Sequence, residues 1–144
     1  MNFAVLMLLI LVAAALQSTL PAIGGLRLEL LPALVAVVAL SRPRAAALLL
    51  ALLAGFSQDA LSAAPFGVTA LAYGITAVVL TGLRESLDRD WPLVQMAAGA
   101  FAAVTVSVAA LCVIGFSAVA IFKLVLLAGW SGLMTPAVFL AIRR

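Results

Sequence analysis

The chain has 144 residues, 67% of them hydrophobic and 9% charged, with a formal net charge of +3. A soluble domain carries roughly a quarter charged residues, so this composition and a mean hydropathy of +1.36 exclude a water-wetted globule and predict an all-α integral membrane protein. Without histidine, and with Cys112 as its single cysteine, the chain offers neither a zinc site nor an internal disulfide.

Apolar runs separated by charged or Pro/Gly breaks predict six transmembrane helices, at about 3–20, 30–41, 44–61, 68–83, 93–114 and 119–142, in one polytopic domain over 1–144. The first closes on Gln17-Ser18-Thr19, with Ser18 and Thr19 at the water interface and Gln17 a candidate for a polar patch. Ala13-Ala14-Ala15 is the kind of run a signal peptidase cuts. Met1-Asn2 supplies no basic n-region, however, so the segment is expected to stay as a span. Arg27 and Glu29 follow in the connection to the second helix.

That second helix is short, since twelve residues rise only about 18 Å against a hydrocarbon core of about 30 Å. Fusing it to the third through Ser41-Arg42-Pro43-Arg44 would bury two arginines, at roughly 5 to 7 kcal/mol, and put a proline inside the helix. A turn with Pro43 opening the third helix is expected instead.

The third helix places Ala47, Ala51 and Gly55 in one four-residue row that ends at Asp59, with Gln58 and Ser62 beside it. Leu48, Leu49, Leu52, Leu53 and Phe56 form the opposite side. The small stripe marks close helix contact, either ordinary packing or a partner's surface. Asp59 costs roughly 2.5 to 3.5 kcal/mol if it sits at mid-membrane, so it is expected to have a partner.

Ser62 to Gly67 is an uncharged connection broken by Pro65 and Gly67, with Gly67 offering a turn and Thr69 a hydroxyl at the start of the fourth helix. Thr69, Tyr73 and Thr76 share a face there, which either meets Gln58 and Asp59 or turns its hydroxyls onto the carbonyls four residues back. The loop Arg84-Glu85-Ser86-Leu87-Asp88-Arg89-Asp90 is the strongly charged segment and reads as a solvated loop. Trp91 opens the fifth helix as an interfacial anchor, and Gly99, Ala103 and Ser107 form a packing row. The sixth helix carries Lys123, a row of Ala128, Gly132 and Pro136, and Trp130 within the span.

An even number of spans puts Arg42, Arg44, Arg84, Arg89, Arg143 and Arg144 on one side and leaves Arg27 and Lys123 on the other, so both termini are expected in the cytoplasm. Asp59 then lies near the external end of its helix, at the depth of Lys123. It is expected to be ionised and to face Lys123 or Arg27. One carboxylate and one lysine within the spans, with no histidine, speak against most enzyme designs. No cofactor, metal or nucleic acid is expected, and the basic residues read as an orientation signal. Such a chain acts by binding something inside or beside the membrane.

Gln17-Ser18-Thr19, then Gly55-Phe56 and Asp59, then Pro65-Phe66-Gly67 with Ala70-Leu71-Ala72-Tyr73, and finally Thr135-Pro136 and the terminal arginines, resemble the MreD family of rod-shape-determining proteins. The resemblance covers essentially the whole chain and is strongest over 55–73. It implies a non-enzymatic component of the bacterial elongation machinery in the inner membrane. The implied partners are the bitopic protein MreC and a RodA-type glycosyltransferase with its transpeptidase, with the MreB filament beneath; self-association is left open. The family is also similar in its six-helix plan to the substrate-binding S-components of energy-coupling-factor transporters. That likeness implies an alternative, a small-molecule capture subunit whose outward pocket is lined by Asp59, Lys123, Thr69 and Tyr73.

Overall fold

The computed structural model describes residues 3–19, 29–62, 65–86, 88, 90–114 and 118–143. They form six helices, α1 (Phe3–Thr19), α2 (Leu31–Ser41), α3 (Arg44–Leu61), α4 (Val68–Leu83), α5 (Pro92–Ile114) and α6 (Ala118–Arg143), with no strand among the described residues. Three of them, α3, α5 and α6, contain stretches long and apolar enough to cross a membrane. The apolar helices α1, α2 and α4 are shorter. Large apolar side chains stand exposed along α1, α4 and α6, among them Leu8, Leu71, Phe122, Val125 and Leu140, which suits a lipid-facing surface and not a watery one.

The helices are arranged around α2. Every residue from Leu31 to Leu40 is buried, and α2 packs against all five other helices. Its sequence explains why: a helix apolar on every side has no face to offer water and belongs at a centre. The others follow one another around it, with α1 on α3, α3 on α4, α4 on α5 and α5 on α6, while the backbones of α1 and α6 do not approach each other among the described residues. This placement also accounts for the shortness of α2. Eleven residues rise about 16 Å, but irregular backbone beyond the ends of a helix is tolerated at membrane depth where protein encloses it.

The turn between α2 and α3 is built as the sequence suggests, with extended backbone at Arg42 and Pro43 and α3 starting at Arg44. Arg84, at the end of α4, closes it by donating from Nη1 to the Arg42 carbonyl at 2.6 Å.

Small residues set the two most extensive interfaces. A Cβ built on Gly55 would fall into the backbone of Ala70, so α3 and α4 touch main chain to main chain there. On the other side of the molecule a Cβ on Gly99 would collide with Thr135 and come 2.7 Å from the Ser131 carbonyl oxygen, and one on Gly132 would come 3.0 Å from that of Met96. The Ser131 hydroxyl adds an interhelical bond to the Gly99 carbonyl at 3.0 Å. Ala47, Ala51, Gly55, Gly99, Ala103 and Gly132 are all buried. These stripes are thus covered by the chain's own helices.

Candidate functional site

Asp59 lies in the last turn of α3, 3% exposed, and its carboxylate is fully engaged. Oδ2 accepts the backbone N–H of Gly67 at 2.8 Å and of Ala70 at 3.4 Å, and Oδ1 accepts that of Thr69 at 3.2 Å. The first N–H groups of a helix have no partner inside it, and in a low-dielectric interior each would be costly to leave unmade. Asp59 supplies that partner from the neighbouring helix, at the end of α4 where the helix dipole favours an anion. An ionised carboxylate is an acceptor only, so its chemistry matches a set of donors.

The intervening loop is shaped to allow this. Gly67 sits at φ 99° as the N-cap of α4, a left-handed conformation that glycine adopts readily, and in it the Gly67 N–H reaches back to Asp59. Close approach at Gly55, one turn earlier on α3, brings the two helices near enough for the contact. Thr69 takes part through its amide. The hydroxyl cap expected of it is not the bond that forms.

Of the two cations expected to face Asp59, the described residues bear on Lys123 alone. Among the described residues no lysine or arginine pairs with it. Lys123 stands on α6, which packs on α5 and α2 and does not reach α3. Arg27 lies outside the described residues. Among the described residues its partners are backbone donors, and three N–H groups aimed at one carboxylate compensate its burial without a second desolvated charge.

Gln58 and Tyr73 complete the α3–α4 polar contact. Tyr73 is fully buried, and its hydroxyl donates to Gln58 Oε1 at 2.8 Å. One turn further along, the Thr76 hydroxyl bonds the Ala72 carbonyl four residues back at 2.8 Å and meets the Thr105 hydroxyl of α5, not Gln58 or Asp59, at 2.7 Å. Thr105 is a member of this network that the sequence did not single out. Its only signal was a lone hydroxyl in an apolar run.

Gln17 stands apart from Asp59 and Tyr73. With Ser18, Glu29, Gln58 and Ser62 it lines a small crevice of about 120 Å³ between α1, the start of α2 and the end of α3. Ligand pockets occupy roughly 300–1,000 Å³, so this crevice has room for a few waters and not for a vitamin-sized molecule. Asp59, Thr69, Tyr73 and Lys123, the residues assigned to an outward pocket in the capture-subunit alternative, are not among those lining it. Exposed beside the loop, the Phe56 and Phe66 rings stack with centroids 5.4 Å apart. Trp130 of α6 buries its indole nitrogen without a hydrogen-bond partner among the described residues.

Taken together, the arrangement is a helix-to-helix clamp. In it a carboxylate bonds three backbone amides and, beside it, a phenol bonds a carboxamide, all between α3 and the start of α4. A family model described as MreD, rod shape-determining protein MreD, matches residues 1–144. No curated protein and no solved structure matches the chain.

Proposed function

The chain belongs to the MreD family of rod shape-determining proteins, and on that premise we propose that it is a non-enzymatic scaffold of the cell-elongation machinery. A role in rod shape determination comes with the family; the scaffold reading is more specific. In it, the protein sits in the bacterial cytoplasmic membrane with both termini inside and binds a bitopic MreC-like protein. Through that protein or directly it engages a RodA-type glycosyltransferase and its transpeptidase, with MreB reached only indirectly.

One observation carries this reading: the polar residues that a ligand or a reaction would need are spent on joining α3 to α4. Asp59 has its acceptors filled by Gly67, Thr69 and Ala70, and Tyr73 is bonded to Gln58. A helical body whose α3–α4 polar groups bond one another suits a protein that works through its outer surface. Because the small-residue stripes are buried, the partner's helix would pack on the exposed apolar faces instead.

The test is to purify the tagged full chain from membranes in mild detergent and identify what accompanies it by mass spectrometry. A single-pass MreC-like protein with elongation synthases is the expected outcome. Recovery of a transporter ATPase module without elongation proteins would overturn the proposal.

A further inference from the structure

At the end of the molecule that carries Arg42, Arg44 and Arg84, the first turns of α3 and the last turns of α4 diverge and leave a groove of about 490 Å³, lined by Arg44, Ala45, Leu48, Ala77, Val78, Thr81 and Gly82. Its walls are apolar except at the mouth. The Thr81 hydroxyl is committed to the carbonyls of Ala77, at 2.6 Å, and Val78, at 3.1 Å. The Arg44 guanidinium is the one charged group on the groove, and among the described residues it takes part in no ion pair or hydrogen bond.

The guanidinium lies beside Gly82, whose missing side chain leaves the groove open. A Cβ on Gly82 would lie 3.9 Å from Arg44 Nη2, so a larger residue there would compete with the head group for the same space. The acids of this end, Glu85, Asp88 and Asp90, line a different crevice together with Arg84, and none of them lines the Arg44 groove. What remains is an unneutralised, bidentate-capable cation above an apolar slot that faces the lipid.

We propose that this groove is a binding site for an anionic phospholipid, with the phosphodiester held by Arg44 and an acyl chain lying along Leu48, Ala77 and Val78. Guanidinium geometry matches two phosphate oxygens, and the apolar walls match a hydrocarbon chain that would lie against them in the bilayer anyway. Basic pockets between helices at the cytoplasmic membrane face take anionic head groups for the same reasons. A neighbouring groove between α4 and α5, lined by Leu83, Trp91 and Phe101, is equally apolar but carries no cation and so has no basis for selecting a head group. The inference extends to the lipid what the scaffold reading says of proteins, and its test does not depend on which protein partner is bound.

Native mass spectrometry of the purified full chain, titrated with phosphatidylglycerol or with zwitterionic phosphatidylethanolamine, tests it. Three variants are compared with the parent: Arg44→Gln, which removes the cation, Gly82→Leu, which fills the groove and keeps the charge, and Arg143→Gln, which removes a charge at the C-terminal end of α6. Thermal unfolding in detergent checks that each remains folded. The expected result is about a tenfold loss of phosphatidylglycerol binding, the scale of one charge-assisted contact, in both Arg44→Gln and Gly82→Leu. Phosphatidylethanolamine, whose ammonium offsets the charge of its own phosphodiester, should bind the parent more weakly than phosphatidylglycerol, and the Arg143→Gln variant should bind phosphatidylglycerol as the parent does. Equal losses in Arg44→Gln and Arg143→Gln would mean non-specific attraction and overturn the site, as would full binding in a folded Gly82→Leu.

Discussion

Asp59 matters through the amides it satisfies. Replacing it with alanine leaves the half-buried N–H of Gly67 and the buried N–H groups of Thr69 and Ala70 without their acceptor, and for the buried pair the desolvation is not recovered elsewhere. Asp59→Ala is expected to cost about 3 kcal/mol in unfolding experiments in detergent, the scale of losing hydrogen bonds to a charged acceptor. Lys123→Met is expected to add to it independently, within about 0.5 kcal/mol, because the two residues stand on helices that do not meet. A coupling well above that would show that they interact. The importance of Asp59 was legible in the sequence because an ionisable side chain in an apolar stretch is conspicuous. Its partners were not, since backbone amides are present at almost every position and only the fold decides which of them converge.

At the scale of the helix, close packing depends on residues that are absent as side chains. Gly55→Val would drive two methyl groups into the backbone of Ala70 and separate α3 from α4, taking the Asp59 contacts with it. Little folded protein is expected on size-exclusion chromatography, whereas Leu49→Ala on the exposed side of the same helix should purify as the parent does. Gly67→Ala is a milder case. It forces a Cβ into a left-handed conformation at φ 99°, where the added carbon has open space, and should cost about 1–2 kcal/mol of thermal stability. The four-residue rows of small residues were readable from spacing alone, but spacing does not say which helix they meet. Beside ordinary packing, the row Ala47, Ala51 and Gly55 left a partner's surface open, and that Gly55 meets Ala70 required knowing that α4 folds back on α3.

Across the whole molecule, the placement of α2 organises the rest. Its uniform apolarity gave no moment to orient it, so the sequence supported a thin span without indicating that five helices enclose it. Opening α2 to exchange requires disturbing every interface at once. Its amides are therefore expected to be the slowest to exchange in hydrogen–deuterium measurements on the detergent-solubilised protein, slower than those of α1 and α6. Faster exchange in α2 than in those outer helices would contradict the arrangement.

The central position of α2 also has a consequence for how the protein is made. In chain order α2 emerges second, before the four helices that will complete its enclosure, and it is too short to bridge the hydrocarbon core by itself. From the time it leaves the ribosome until α6 is delivered, it lacks some of the helices that bury it in the finished molecule. Biogenesis is thus the stage at which this chain is most exposed to failure. A chain cut before α6 is therefore expected to show faster hydrogen–deuterium exchange in α2 than the full chain.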